Sequence, residues 1–580
     1  MGESRFPAIR DLAIIGDRRT AALVTHTGAV VWYCPGRFDY PSLLAALLDP
    51  DRGGHWSVRL PNAMAAGRRY LEDSGILETT LATPAGDLVI TDWMPMGADT
   101  PQGLCRQFSA APTDMALTLA PAPDYARRSP QLQPQGQGIQ IDGQYYVYAS
   151  HPLTISGAEI RCTIPQGDTG WCLLLNASLD DLTDRPLKGW FQTTLEHWRE
   201  IAAHATYHGP YERQVAESIR ALRLLTFEDN GGIIAAPTTS LPEVIGGQRN
   251  YDYRYVWLRD AGMIVSALTR AGSDGTDERR FLDFICGYDR DSDHQPLMPF
   301  STLDGESPCA ETPLDLVGYR HSAPVIIGNV AKDQLQLDAY GNVLLAAKLI
   351  YNRFDTREHW SLVAEIADFL CDHWHEPDYG IWEEQEKHQY TSSKVVAACG
   401  LKYIANIAEN DAQARRWRAA EQEIRTFVAE HCLTAEGAYA VVAGEEDVDV
   451  TAALFPVWGY TEADTPEMVA TIQVLERDYA TGHLYRRHLK SFDSQQEGAF
   501  LAGTLWVAQY WIMRRDLQRA RAIMDAALAF ANDLGLFAEE ADPATGTMLG
   551  NFPQTFVHSA FIGAAIDLKA ALEDMGSGSK

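Results

Sequence analysis

The chain is short of positive charge. Lysine and arginine total 48 against 78 aspartates and glutamates, a net charge of −30 over 580 residues. Such a surface repels phosphate backbones, which excludes nucleic acid as a natural partner. Long apolar runs are missing as well. No stretch of about 18 apolar residues stands out, so no membrane span is expected. The opening MGESRFPAIRDLAIIGDRR has only a short apolar stretch interrupted by Arg10 and Asp11, so no signal peptide is expected either. Cysteines number nine and no two stand in a CxxC spacing. An odd, scattered set argues against a zinc site or a disulfide framework, and for free thiols in a reducing cytoplasm. The P-loop, the G-x-S-x-G elbow and H-E-x-x-H are all absent, so neither a cofactor nor a metal is expected.

What is present changes character near residue 190. Before it, short β-rich runs such as AALVTHTGAVVWYC, GGHWSVRL, DLVITDWMPM, GQYYVYAS, AEIRCTIP and TGWCLLLNAS alternate with Gly, Pro, Asn and Asp. That pattern predicts an antiparallel β-sandwich over 1–187. Residues 188–206 read as a linking helix within a 188–210 linker. Beyond about 210 apolar residues recur at three- and four-residue spacing. They predict helices over 212–227, 259–271, 276–289, 331–351, 357–374, 391–408, 411–431, 449–456, 466–478, 497–514, 516–533 and 555–573. Twelve helices in six hairpins predict an (α/α)6 toroid over 211–575, with 576–580 a flexible tail. DYGIWEE, AEGAYAV, TGHLYRR and LGLFAEE, each with Gly ahead of an apolar or aromatic residue at a loop, fit a ring of repeated units. They also fit ordinary turn chemistry.

Carboxylates and aromatics remain as the chemistry-bearing groups, and both suit sugars. Rings stack on pyranose faces, carboxylates and arginines bond hydroxyls, and two carboxyl groups suffice to break a glycosidic bond. Ile381-Trp382-Glu383-Glu384 and Phe537-Ala538-Glu539-Glu540 each put paired acids after an aromatic residue. Across a ring of helices they could face one pocket, although a Glu-Glu pair is more often solvated surface. Tyr251, Tyr253, Tyr255 and Trp257 crowd in ahead of Arg259 and Asp260. Asp260 could cap a helix, and Arg259 could simply pair with it, but the aromatic density fits a cleft or a packed interface. Arg320 reads equally as a sugar donor or a surface ion pair. Glu497 opens an apolar helix, where it could serve the helix dipole or catalysis. His321, His388 and His558 read as structural.

These phrases together resemble glycoside hydrolase family 15, the glucoamylases, bacterial trehalases and glucodextranases. The carriers are IRDLAIIGDRRTAALVTHTGAVVWYC at the start, SLPEVIGGQRNYDYRYVWLRDAG and GYRHSAPVIIGNVAKDQLQLDAYG in the middle, and GLFAEEADPATGTMLGNFPQTFVHSAFI at the end. The resemblance spans nearly the whole chain. It implies a β-sandwich followed by an (α/α)6 barrel, Glu383 as general acid and Glu539 as general base. It also implies Arg259 and Asp260 on the terminal glucose, Tyr253 and Trp382 framing it, Glu384 as a further ligand, and Arg486 as its supporting arginine. Arg320 is carried over less directly. Glu384 directly after the acid is glucoamylase wording rather than the common trehalase wording, and KHQYTSSKVVAACGL also departs from the trehalase pattern. The first expectation is therefore an exo-acting, inverting hydrolase releasing β-D-glucose from short α-glucosides. The alternative is an α,α-trehalase; a disaccharide phosphorylase or a non-catalytic sugar-binding protein is more distant. Inversion needs room for water, roughly 6.5–9.5 Å between carboxyl groups. The partner is a small sugar, and homo-oligomerisation is left open.

Overall fold

The computed structural model describes residues 5–179, 184–204, 206–287, 297–489 and 496–577. Two antiparallel sheets form its N-terminal part. One runs Leu12–Gly16, Ala21–Thr25, Val30–Tyr33, His55–Arg59, Met115–Ala120, Glu159–Ile164, Leu153–Ser156. The other runs from Leu132–Gln135 through Gly170–Leu175 and Gly103–Phe108 to Met64–Tyr70. Strands such as Met115–Ala120 alternate buried and half-buried residues, the period-2 pattern of a sheet with one face on a core. The first three strands are buried at every position, because the helical part covers their outer face. There the Trp32 indole donates to the Pro237 carbonyl at 2.8 Å, and the Asn532 amide to that of Leu12 at 2.8 Å.

Helix α1 (Asp184–Ala203) links the two parts. It begins before the expected residue 188, and position 205 lies outside the described residues. The helices α2 (Glu212–Leu224), α3 (Leu258–Arg270), α4 (Thr276–Cys286), α5 (Leu337–Phe354), α6 (Trp360–His373), α7 (Thr391–Ala405), α8 (Asp411–His431), α9 (Pro466–Val474), α10 (Leu501–Met513), α11 (Leu517–Leu528) and α12 (Thr555–Ser577) follow. The inner ring closes by α3 on α5, α5 on α7, α10 on α12 and α12 on α3. Its remaining place, expected at 449–456, holds only a 3-10 turn, Val450–Leu454, packed on α10. With the outer helices this is the (α/α)6 toroid. The expected 331–351 and 497–514 helices start later, at 337 and 501. Ahead of them stand a 3-10 turn (Val330–Asp333) and a short strand (Ala499–Phe500).

Inner helices are apolar nearly all round, as α10 (LAGTLWVAQYWIM) shows, because they pack on both neighbours and on the outer layer. Helix α12 is long and apolar enough to cross a membrane, yet 72% of its apolar window is buried inside the protein. It is a core helix, and it takes in residues 576–577 of the expected tail; 578–580 lie outside the described residues, as do 288–289 of the helix expected over 276–289. The four Gly-aromatic phrases all lie in loops that lead into inner-ring elements, at one end of the barrel.

Candidate active site

The segment ahead of α3 is held from behind by the sandwich. Arg254 turns away from the barrel axis. It pairs with Asp252 at 2.7 Å and donates to the Tyr125 hydroxyl at 2.8 Å and the Tyr40 carbonyl at 3.1 Å. Its neighbours in the alternating backbone, Tyr253 and Trp257, face inward with ring centroids 5.7 Å apart. The N-terminal domain thus fixes the aromatic floor of the site.

That floor touches both acids. The Tyr253 hydroxyl donates to Glu539 Oε1 at 2.7 Å, and the Trp257 indole N–H donates to Glu383 Oε1. Both carboxylates line one cavity of about 210 Å³, together with Arg259, Asp260, Trp382 and Arg487. Two loops from distant parts of the chain are therefore set against one short aromatic segment.

The loop carrying Glu383 is tied at its base. Asp378 and His388 exchange backbone hydrogen bonds at 3.0 and 2.9 Å. Asp378 Oδ2 also accepts from the Leu337 amide at 3.0 Å and the Ser393 hydroxyl at 2.7 Å. At the tip Glu383 has φ of 57°, a left-handed conformation that costs a non-glycine residue energy and recurs at functional sites. Arg259 donates to the Ile381 carbonyl at 2.6 Å and stands 3.6 Å from Glu383, locking this tip to the start of α3. Asp260 makes no cap; it pairs with Arg259 at 2.8 Å. Trp382 donates to Asp449 at 2.9 Å.

Glu539 is positioned by a short sheet in which Ala499–Phe500 pairs with Glu540–Asp542, itself paired with Thr547–Leu549. Gly550 follows at φ 76°, and a Cβ there would stand 2.7 Å from Glu539 Cβ. Only glycine lets this turn pass under the acid.

Burial raises the pKa of both acids. For Glu383 the Arg259 charge and the Trp257 hydrogen bond oppose the rise. For Glu539 burial and Glu243 push up strongly, against Arg487 and the Tyr253 hydroxyl. Glu540, behind it, is pushed up to about 7 by burial and Glu243. Glu383 thus faces the Arg259 guanidinium, while Glu539 stands between two carboxyls, Glu243 and Glu540, and the Arg487 guanidinium, so the two settings differ.

That wall was not foreseen. Glu243, Glu497 and Glu540 bring oxygens within 4.8 Å of one another, a spacing that could hold a metal ion. Arg487 sits among them, 3.0 Å from Glu243 and 2.9 Å from Glu497, and Arg249 reaches Glu243 at 3.0 Å. Two guanidiniums thus supply the positive charge. Glu497 accordingly serves an ion-pair cluster, ahead of α10 and outside the cavity wall, rather than a helix dipole.

Three expected site residues stand elsewhere. Arg486 points outward and donates to Gln496 at 2.6 Å; Arg487 lines the cavity, with its guanidinium 5.2 Å from the centre of the Trp382 ring. The two arginines follow the Leu484–Tyr485 strand and take opposite directions, so a one-residue error chooses the wrong side chain. Arg320 has φ of 49°, which turns it over the Tyr319 ring and toward the N-terminal segment, where Tyr319 and His321 pack on Phe6. Glu384 lies outside the cavity wall, close enough to Asp449 and Tyr390 to raise both. His558, pushed down to about 3 by burial, accepts from the Phe537 amide at 3.3 Å and is structural. Asp338, in the first turn of α5, is wholly buried with no donor on either oxygen, and is pushed up to about 7 by burial. No local signal marked Glu243, Arg249 or Asp338, each an isolated charge in an acidic chain.

Comparison with known proteins bears on this arrangement. The trehalase from Thermoplasma volcanium is 29% identical, over 98% of this chain and 94% of that protein. The trehalase from Mycobacterium tuberculosis is 30% identical, over 99% and 91%. A bacterial glucoamylase complexed with acarbose shares the fold, with a TM-score of 0.72 at 13% identity, covering 98% of this chain and 96% of that one. Residues 1–167 match the trehalase-like N-terminal family, and residues 209–522 and 517–566 match glycosyl hydrolases family 15. With its two acids on one cavity at the mouth of an (α/α)6 barrel, the chain belongs to that family and is a glycoside hydrolase.

Proposed function

We propose that the protein is an inverting α,α-trehalase. The observation that carries the reading is the shared cavity: Glu383 and Glu539, 156 positions apart by number, both line it and are both hydrogen-bonded by the 253–257 segment. Glu383 protonates the oxygen between the two glucose units. Glu539 takes a proton from a water that attacks the anomeric carbon from the other side. Arg259 and Asp260 hold the hydroxyls of the glucose being cleaved off, Tyr253 and Trp382 frame its ring, and Arg487, rather than Arg486, lies beside it.

Trehalose is preferred here to longer α-glucosides, the first expectation, for two reasons. The relatives similar over the whole length are named trehalases. Glu384, whose position argued for glucoamylase-type action, is not in the cavity wall. No disulfide joins any of the nine cysteines among the described residues, a state that suits a reducing setting.

The test is glucose release from trehalose, maltose, isomaltose, panose and dextran without added phosphate. Trehalose is expected to be cleaved fastest. Glu539→Gln is expected to lower kcat by about 10²–10⁴ with KM little changed. Full activity of that variant would remove Glu539 from the mechanism, and a requirement for phosphate as co-substrate would indicate a phosphorylase.

A further inference from the structure

The barrel has a second opening. The active-site cavity is built at the N-terminal ends of the inner helices, from Arg259 and Asp260 of α3, Phe556 of α12 and the loops entering α7 and α10. A larger cavity, about 500 Å³, lies at their other ends. Its walls come from the later turns of α3 and α7, from the middle and later turns of α5, α10 and α12, and from the turn after Leu454. Nothing in the proposed reaction uses it.

Its chemistry is specific. Tyr403 gives it a half-buried aromatic wall, Trp458 and Trp506 stand buried behind its lining, and Asn342 and Gln509, whose N–H groups bond Asp338 and Asp567, leave their amide oxygens as acceptors. The charges at its edge are already engaged. Arg270 and Gln509 both bond Asp567, Arg515 pairs with Asp574 at 2.9 Å, and the Lys348 ammonium sits 4.6 Å above the centre of the Tyr403 ring. Helices α3 and α10 end beside it, so their carbonyl ends add partial negative charge. Two ion pairs cancel and the remaining ammonium rests on a ring face, so the cavity presents no strongly charged site to a ligand. Flat aromatic faces beside planar amides suit a neutral ring that is apolar on its faces and hydroxylated at its edge.

The rear cavity also abuts the catalytic one. Trp506, fully buried, stacks on Trp382 with ring centroids 6.2 Å apart and planes 22° apart. Trp382 is a wall of the active-site cavity and directly precedes Glu383. Trp506 thus stands as a single buried ring between the lining of the rear cavity and the acid loop.

We propose that this cavity is a second binding site for a neutral pyranose, and that its occupancy alters turnover through the Trp506–Trp382 stack. The cavity-filling variant Ser266→Trp tests it, since Ser266 lines the rear cavity and touches nothing in the active site. Calorimetric titration with D-glucose is expected to count one more equivalent in the wild-type protein than in Ser266→Trp. D-glucose is expected to change both kcat and KM for trehalose in the wild type, and only KM in the variant. Equal counts, or purely competitive inhibition of the wild type, would overturn the proposal. Leu349→Trp, at the rim of the same cavity, serves if Ser266→Trp does not fold. The count needs no turnover, so it stands or falls apart from the hydrolytic reading.

Discussion

Replacing Tyr253 by Phe removes a single hydroxyl, the one that donates to Glu539 Oε1 at 2.7 Å. The ring and its edge contact with Trp257 stay. A hydrogen bond to a charged group contributes about 1.5–3 kcal/mol, and one pKa unit is about 1.4 kcal/mol. The bond favours the ionised carboxylate, so its loss raises the Glu539 pKa further, by about 1–2 units. A general base works only when deprotonated. The acid limb of the kcat/KM profile on trehalose therefore moves to higher pH by the same amount. At a fixed pH on that limb the rate falls about 10- to 100-fold, and raising the pH recovers most of it. Glu243 and Glu540 both raise Glu539, so the limb reports interacting carboxyls rather than one residue. A profile that drops at every pH without moving would refute the reasoning, because the hydroxyl would then serve substrate contact alone. A shift toward lower pH would reverse the sign on which it rests.

Trp257→Phe acts on the other limb. Its indole N–H lowers the Glu383 pKa, so its removal keeps the acid protonated longer and moves the alkaline limb up by about one unit; an unmoved limb contradicts the acid assignment. Arg487→Ala is expected to lower kcat/KM by 100-fold or more, on the order of 3 kcal/mol, while Arg486→Ala changes it by less than about threefold; steady-state kinetics with the reverse ranking would restore Arg486. Asp338→Asn tests the buried acid in α5. Burial pushes its carboxyl up to about 7, above the ordinary 3.8, so the folded state holds a proton that the unfolded chain releases. Stability from that proton is present below about pH 4 and is lost as pH rises toward 7. The neutral variant is therefore expected to gain over wild type by up to about 4 kcal/mol at pH 7–8, fading near pH 4. Thermal melts across that range check it, and a pH-independent difference contradicts it.

Much of this was legible in the sequence, for physical reasons. Period-2 runs such as MALTLA and the 3.6-period helices give the two halves, because burial on one face dictates both patterns. The fourth inner helix was overread. DVDVTAALFP is apolar enough for a core helix, but Pro456 denies it a continuing hydrogen bond, and only the Val450–Leu454 turn forms. Glu383 and Glu539 stood out as candidates because each follows an aromatic-bearing phrase, their acid and base roles came from the family resemblance, and the structure brings both to one cavity. Arg487 was missed by one position because the face taken by each member of an Arg-Arg pair depends on local extended backbone. Arg320 was misplaced because a left-handed residue reverses the loop. The Glu243–Arg249–Arg487–Glu497–Glu540 cluster assembles from four separate segments, and no local pattern announces a contact of that kind.

The most direct test is proton NMR of the first glucose released from trehalose, read before mutarotation. Single displacement at one anomeric carbon inverts that unit and leaves the other as it was. Equal amounts of α- and β-glucose are expected at the earliest times. Two equivalents of α-glucose would mean retention, and Glu539 could not then be a base acting through water.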